Sequence, residues 1–382
     1  MHGRLYNFFI QINWLAAVSV GFIFGVLLSS FVVIAQVATV VVAFLAGFFL
    51  VVYFKNHFIK ILTLSLLFFV AGVLYFSFQT NVPKDSRAYY DSKQEVQFFF
   101  ELKNNLSNGL NNALLPPHSS LYKAILLGDK SEITYDMRSN LSHSGLSHII
   151  AVSGLHIAIL TLIIFWVLLR FLKRRYASLI SLGILTFYIL LIGAPASAVR
   201  AGIMVAVLIL AQFIGRPNSA LRALLYAASI MIIADPVIVR FDIGFQLSFL
   251  AVLGILISYR SLDRFFRKMQ YKIVEFILHG SITEDRKVAS YFAEEKFGAT
   301  GLLAVTISAQ FFTAPLVFYY FDVFSFVSPV TNLLVVPILP LALISGFAAA
   351  IFGALNFFPV ILATPAWLFS SYIWAVVSFF GG

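Results

Sequence analysis

The stretch from Ser142 to His156, SHSGLSHIIAVSGLH, holds the residue types best suited to chemistry in this chain. Ser153 and His156 are three residues apart, so on a helix they lie on neighbouring faces and can touch. A serine beside a histidine can act as nucleophile and base in a serine hydrolase, and His148 is the other candidate base. No acidic residue stands close in sequence to orient the histidine, as a catalytic triad requires. We therefore expect no catalytic residue and no enzyme, and an intramembrane serine hydrolase is the least favoured function.

The same residues are predicted to lie inside a membrane. The apolar run that follows His156 has only thirteen residues, or about 20 Å of helix, which is too short to cross the hydrocarbon. The helix must then begin further upstream, which places Ser153, Gly154 and His156 at membrane depth. Polar groups at that depth face the interior of a bundle or a water-filled path rather than lipid. The alternative is structural, since small residues let helices approach closely and bond to each other.

Metal binding is not predicted from the histidines. The chain has seven of them and no cysteine, and no H-x-H or H-E-x-x-H pattern occurs. His148 and His156 are eight residues apart, about 80° around a helix, so one helix does not bring them together as ligands. We expect neither a metal nor another cofactor.

Two further segments place polar side chains inside predicted spans. Arg200 lies about one turn inside the span that Pro195 opens. It is predicted either to contact a polyanion or to pair with an intramembrane carboxylate, for which Asp242 is the candidate. The alternative is that Arg200 extends to the outer headgroups and has no specific role. Gln246 and Ser248 place polar groups in the outer half of a later span.

The last such segment runs from Gln310 through Asn332 and Pro337 to Pro340. The apolar stretch 326–353 is too long for one straight helix and contains three prolines, so a broken or re-entrant element is predicted there. Broken helices expose backbone groups, which is tolerated inside a membrane only where they line a cavity or are covered by protein. Together these segments predict a path for a polar solute through the outer half of one bundle.

The composition predicts the scaffold that must position these side chains. Of 382 residues, 61% are apolar and only 11% are charged, whereas an average soluble domain is about half apolar and a quarter charged. A helix needs about twenty apolar residues to cross the hydrocarbon. By that criterion the chain is an all-α polytopic integral membrane protein with about eleven transmembrane helices. The predicted spans are near 13–33, 37–54, 58–78, 146–169, 177–194, 196–214, 219–234, 244–259, 299–320, 326–353 and 357–380.

The distribution of charge predicts the orientation. The connections 55–60, 170–175 and 216–222 are basic and contain no acid, which is typical of cytoplasmic loops. The N-terminus is then cytoplasmic, the C-terminus is outside, and the linker 260–298 is cytoplasmic. This topology explains most of the net charge of +10, so the charge alone is weak evidence for binding DNA.

Three regions are predicted along the chain. Residues 1–78 form an N-terminal three-helix membrane segment, and 79–145 form an outward-facing polar or amphipathic segment. Within the latter, 96–115 has apolar residues at helical spacing and is expected to lie on the bilayer as a helix. Residues 146–382 form the channel domain.

Five motifs in order resemble the competence domain of the ComEC family, from about residue 121 to the end. That family is the inner-membrane channel of natural transformation. The motifs are Leu126-Leu127-Gly128-Asp129-Lys130, the segment Ser144 to His156, Pro195 followed by Arg200-Ala201, Gly244-Phe245-Gln246-Leu247-Ser248-Phe249, and Asn332-Leu333-Leu334-x-x-Pro337.

The resemblance implies inward passage of single-stranded DNA through the bacterial inner membrane. It also implies contact with other DNA-uptake proteins and a separate nuclease, besides the lipid bilayer, and an assembly of several copies of the chain. A secondary transporter of a small polar solute is the alternative function. Many family members also carry a metallo-β-lactamase-like domain with an H-x-H-x-D-H motif, which does not occur in these residues. We therefore expect no nuclease activity here, and the chain is either a piece of a longer member or a reduced one.

Overall fold

All regular structure in the described part of this chain is helical. The computed structural model describes residues 14–31, 64–73, 97–213, 219–277, 298–322 and 325–382, and these ranges contain no strand. The predicted all-α class is confirmed. The helices are α1 (Trp14–Phe31), α2 (Leu64–Val73), α3 (Gln97–Ala113), α4 (His118–Leu127), α5 (Tyr135–His143), α6 (Ser147–Ile150), α7 (Gly154–Leu169), α8 (Arg174–Leu191), α9 (Ala196–Phe213), α10 (Ala220–Ala234), α11 (Ile238–Phe241), α12 (Ile243–Ile277), α13 (Ala299–Phe321), α14 (Ser328–Val335), α15 (Leu339–Ala354), α16 (Pro359–Leu362) and α17 (Thr364–Gly381).

Four of these helices are long and apolar enough to cross a membrane, namely α8, α9, α12 and α13. The pair α14 and α15 makes a fifth if it is one bent span, because its halves meet at 56°. The chain is therefore a multi-pass membrane protein, and the predicted break within 326–353 is confirmed. The predicted count of about eleven spans is not confirmed within the described ranges, and the predicted span 37–54 lies outside them.

Several predicted spans are shorter or interrupted in the structure. The predicted span 146–169 is two helices, α6 and α7, because the chain is not helical from Ala151 to Ser153. The span 357–380 is likewise divided, since Pro359 and Pro365 each stand in the first turn of a new helix, α16 and α17. Helix α10 has only 15 residues. The length of an apolar stretch therefore overestimated the length of the helix that forms within it.

Helix α12 is longer than its predicted span. The sequence predicted a span over 244–259 and a separate linker from 260, but the helix continues without a break to Ile277. Its 35 residues extend about 52 Å, well beyond a hydrocarbon core of about 30 Å. The side chains of Asp263 and Arg267, one turn apart, pair at 2.9 Å and support the extension. The rest of the predicted linker, 278–297, lies outside the described residues.

By its contacts the chain divides into two units, and the predicted regional boundaries at 78 and 145 remain predictions. One unit comprises Met1–Gln94 with Val199–Phe249, and the other comprises Glu95–Ala198 with Leu250–Gly382. In the first unit α1 and α2 pack with their backbones close together. A Cβ on Gly21 or Gly25 would overlap the carbonyl of Ser65 or Phe69, so only glycine allows this approach.

The second unit is built around α4, whose residues from Ser119 to Leu127 are all buried. The Tyr122 hydroxyl donates to the Ala366 carbonyl in α17 at 2.8 Å. The predicted amphipathic helix within 96–115 is present as α3. Its buried face, which includes Gly109, packs against Gly353 of α15 so closely that a Cβ on either glycine would overlap the other helix. Whether α3 also lies on the bilayer remains a prediction.

Candidate functional site

Polar contacts in the second unit converge on the loop 143–146, between α5 and α6. Gly145 adopts φ +74°, a left-handed conformation that favours glycine, and a Cβ there would overlap the Ser328 side chain. The Thr331 hydroxyl in α14 donates to the Ser144 carbonyl at 2.7 Å, and the Ser325 hydroxyl donates to the His143 carbonyl at 2.6 Å. The first half of the broken span is therefore fixed to this loop by side-chain hydroxyls.

Three of the predicted polar residues are connected to this loop, His148 directly and Gln310 and Asn332 through Ser325 and Ser328. The Gln310 amide donates to the Ser325 carbonyl at 2.8 Å, and the Asn332 amide donates to the Ser328 hydroxyl at 3.3 Å. His148 places its Nδ1 3.1 Å from the Gly145 carbonyl, so Nδ1 is the donor in that bond. Pro337 lies further along, at the bend between α14 and α15. Three residues of the same cluster were not singled out from the sequence, namely Ser325, Ser328 and Thr331. The available signal was their spacing of three residues just before Asn332.

Ser153 and His156 are in contact, but Ser153 is not inside a helix as predicted. Ser153 is the N-cap of α7 and Gly154 is its first residue, because the backbone at Ser153 is extended. The His156 Nδ1 accepts the backbone N–H of Ser153 at 3.0 Å, and the Ser153 hydroxyl accepts the backbone N–H of His156 at 3.5 Å. This reciprocal pattern is a capping box, with histidine in the place usually taken by glutamate.

The capping box bears on the hydrolase alternative. The Ser153 hydroxyl also lies 3.2 Å from His156 Nδ1, the distance that a nucleophile and its base require. The lone pair of that nitrogen, however, already accepts the backbone N–H of Ser153. The proton is then on Nε2, which is buried and has no hydrogen-bond partner among the described residues. No carboxylate orients the ring through that atom, so the arrangement is that of a helix cap.

Arg200 belongs to the other unit and is nearly inaccessible, with only 5% of its surface exposed. Its guanidinium carbon lies 5.7 Å from the centre of the Phe249 ring, and its Nε has no partner among the described residues. Arg200 is therefore buried, whereas the alternative from the sequence had its side chain extend to the lipid headgroups. Asp242, the candidate carboxylate partner, forms no ion pair with Arg200 within the described ranges. Asp242 instead caps α12, since its carboxylate accepts the Phe245 N–H at 2.9 Å.

Gln246 and Ser248 lie in the same unit as Arg200 and differ from each other in bonding. The Gln246 amide donates to the carbonyls of Val239 and Arg240, both at 2.9 Å, and so completes the end of α11. This gives Gln246 a structural role. The Ser248 hydroxyl is buried without a hydrogen-bond partner in the described part of the chain.

An ion pair between a buried lysine of α4 and a partly exposed glutamate after it was missed from the sequence. Lys123 is 2% exposed and its ammonium binds the Glu132 carboxylate, which also accepts the Ser120 hydroxyl at 3.2 Å. Next to it, burial raises the pKa of Asp129, but hydrogen bonds from Ser131 and the charges of nearby lysines outweigh it. The pKa of Asp129 therefore lies below its ordinary value. The available signal was a single lysine inside an otherwise uncharged helix, HSSLYKAILL.

No group of three side chains in the described ranges could hold a metal ion. The structure therefore offers hydroxyls, amides, two histidines and one buried arginine in and around its membrane-crossing helices. Groups of these kinds can form hydrogen bonds with polar or anionic solutes.

These features define a helical multi-pass membrane protein with polar and broken elements among its spans. Residues 125–382, about two thirds of the chain, match the family described as Competence protein, and the chain belongs to that family. The resemblance inferred from the five motifs is thereby confirmed.

Two curated relatives match a similar part of the chain. ComE operon protein 3 of Bacillus subtilis (strain 168) is 26% identical over 242 residues, which cover 63% of this chain and 27% of that protein. An uncharacterized protein of Aquifex aeolicus (strain VF5) is 28% identical over 235 residues, or 61% of this chain and 46% of that protein. The chain thus matches less than half the length of either relative. No solved structure matches it significantly.

Proposed function

We propose that this chain forms the passage through which single-stranded DNA crosses the bacterial inner membrane into the cytoplasm during natural transformation. The observation that carries the proposal is the match to the Competence protein family, which spans every candidate polar element. The broken span, the loop 143–146, the start of α7 and Arg200 all lie within residues 125–382. The name of the Bacillus subtilis relative, ComE operon protein 3, is consistent with a role in competence.

Buried polar atoms without partners support a polar passage. Besides Arg200 Nε and Ser248 Oγ in one unit, Ser308 Oγ and Asn332 Oδ1 in the other have no hydrogen-bond partner among the described residues. An unsatisfied buried group costs about 1–3 kcal/mol, so such groups are retained where water or a solute completes their bonding. Within each unit, such hydroxyl, amide or guanidinium groups are suited to a polyanion that must bind weakly and move on.

A secondary transporter of a small polar solute is the second candidate, and one observation favours it. The two halves of the broken span meet at 56° next to Asn332, whose buried side-chain oxygen is free to accept a bond. Discontinuous helices of this kind form the solute sites of many transporters. A transporter site closes around one small molecule, whereas a DNA passage must admit a chain of any length.

The decisive experiment measures DNA entry in a competent strain from which this chain has been deleted. Fluorescently labelled duplex DNA is added, and the fraction that resists external nuclease is followed with and without a plasmid that encodes the chain. Restored entry of long strands supports the proposal. If surface-bound DNA accumulates equally in both strains and none enters with the plasmid, the proposal fails and the transporter becomes the better candidate.

A second expectation concerns the partners and the assembly of the chain. The sequence implies cooperation with other DNA-uptake proteins and a separate nuclease, and association of several copies in the membrane. Cross-linking in native membranes, followed by mass spectrometry, tests each of these. The cytoplasmic N-terminus and external C-terminus belong to the same proposal.

A further inference from the structure

The C-terminal half of α12 carries cations in a regular row. Arg260, Arg264, Lys268 and Lys272 follow one another at intervals of four residues, and all four are exposed. Four residues advance a helix by about 6 Å and turn it by about 40° beyond a full circle. The four charges therefore form a slightly winding line about 18 Å long on one side of the helix. We call it the basic row.

Little acidic charge accompanies the basic row within residues 260–272. Residues 260–272 contain five basic residues and a single acid, Asp263. That acid is bound at 2.9–3.0 Å by Arg267, which is not a member of the row. No residue of the basic row forms an ion pair within the described ranges. The Arg264 Nε donates to the Arg260 carbonyl at 3.0 Å, which holds its guanidinium along the helix.

Large apolar side chains alternate with these cations. Phe265 is 60% exposed, Met269 is 44% exposed and Tyr271 is 42% exposed, and each is a direct sequence neighbour of a residue in the basic row. Cations that follow a phosphate backbone, combined with aromatic rings on which bases stack, are the recognition chemistry of single-stranded nucleic acid. A duplex keeps its bases paired and could use only the charges.

The position of the row favours a nucleic acid strand over lipid headgroups. If the hydrocarbon core begins at Ile243, about twenty residues cross it, and it ends near Leu262. Lys268 and Lys272 then lie roughly 9 and 15 Å beyond it, whereas the headgroup layer is only about 5–7 Å deep. Because α12 continues unbroken to Ile277, these residues do not fold back onto the membrane surface. Lipid headgroups would therefore reach only the first half of the row.

We infer that the basic row binds the phosphates of single-stranded DNA as the strand leaves the membrane on the cytoplasmic side. This inference rests on the proposed function and on the cytoplasmic position of residues 260–277. The row is then a site of first contact for the emerging strand, and Phe265 and Tyr271 supply stacking surfaces beside it. Exposed cations suit this task because the strand must be released again.

The test uses the full chain in nanodiscs of uncharged lipid and a fluorescein-labelled oligothymidylate as the probe. Binding is followed by fluorescence anisotropy over a range of salt concentrations. The variant R260Q/R264Q/K268Q/K272Q should bind at least about tenfold more weakly at low salt. The slope of log affinity against log salt should also become shallower by about 2.8, because each lost phosphate contact on a single strand contributes about 0.7.

Two matched variants control for unspecific effects. R260K/R264K keeps every charge of the basic row, and D263N/R267Q removes a neighbouring ion pair without altering the net charge. Both should bind the oligonucleotide like the native chain. All four altered side chains of the row are exposed, so the helical circular dichroism and gel-filtration profile of each variant should match the native protein.

Two results would overturn the inference. One is native affinity and an unchanged salt slope in the fourfold variant. The other is a fourfold variant that loses binding only to anionic lipid, measured by adding phosphatidylglycerol to the nanodiscs, while it still binds the oligonucleotide. The proposed function is tested by a different experiment, which measures DNA entry with the native chain. A chain that binds the oligonucleotide through the row but restores no entry would contradict the proposed passage alone.

Discussion

Replacing Ser153 by alanine tests whether this side chain caps a helix or attacks a substrate. Its hydroxyl accepts the His156 N–H at 3.5 Å, which is long for a hydrogen bond. Loss of a serine cap costs about 0.5–2 kcal/mol, and the long bond places this loss near the lower end. The other half of the capping box, from the Ser153 N–H to His156 Nδ1, uses the backbone of Ser153 and survives. We therefore expect Ser153→Ala to lower the free energy of unfolding by about 0.5–1 kcal/mol.

This loss corresponds to a decrease in Tm of about 1 °C for a chain of this size. It can be measured from tryptophan fluorescence as detergent-solubilised protein is heated. DNA entry should stay near the native level, because no step uses the hydroxyl chemically. Ser153→Asn is the matched control, since asparagine caps as well as serine and should restore the native Tm.

The His156 side of the box gives a second comparison. Glutamine can accept the Ser153 N–H as usual in a capping box, whereas leucine cannot, so His156→Gln should melt above His156→Leu. The capping argument would be refuted by a Ser153→Ala protein that reaches the membrane in native amount and unfolds normally but admits no DNA. That result would show that the hydroxyl is required for chemistry.

Three further predictions concern packing, charge and orientation. Gly145→Ala should lower the free energy of unfolding by about 1–3 kcal/mol, because Gly145 has a positive φ and a Cβ there would overlap Ser328. Gly183 has open space around it, so Gly183→Ala should be neutral or slightly stabilising. The melting curves of the two variants test this difference. Arg200→Gln should insert normally and lose most DNA entry, with partial entry for the lysine variant; normal entry by Arg200→Gln would leave this residue without the proposed role. In a chain without cysteine, Tyr135→Cys should react with an impermeant thiol reagent from outside and Lys173→Cys should not; the reverse pattern would invert the topology.

The fold class followed from composition and pattern, because apolar stretches of about twenty residues are typical of membrane-crossing helices. Helices α8, α9 and α13 agree with their predicted spans to within about three residues, since each is one uninterrupted apolar stretch. The hydropathy pattern could not reveal that Ser153 starts a helix, because a capping box depends on backbone angles as much as on residue type. The continuity of α12 beyond its span was missed for another reason, since apolar residues at helical spacing do not show whether a segment continues the helix before it or starts a new one.

The site was predictable as a set of residues but not as a set of contacts. Gln310, Asn332 and His148 were singled out for being polar in apolar surroundings. In the structure His148 bonds to the loop 143–146 directly, and Gln310 and Asn332 do so through Ser325 and Ser328. The partner that each residue binds depends on tertiary packing, which cannot be read from sequence spacing. Asp242 is an example of a role that the sequence leaves open. Its position at the start of α12 is compatible with a helix cap or an ion pair, and in the structure it is a cap.

The burial of α4 has a consequence for biogenesis. The Tyr122 hydroxyl binds a carbonyl 244 residues further along the chain, and Trp374 donates to the Pro117 carbonyl across 257 residues. A ribosome adds about 5–20 residues each second, so α4 waits roughly 12–50 s for the helix that covers it. During that interval the apolar surface of α4 must be shielded by the insertion machinery or by a chaperone, whereas Lys123 can pair at once with Glu132, nine residues further on. Strains that insert membrane proteins slowly should therefore lose this protein to proteolysis before α17 is made.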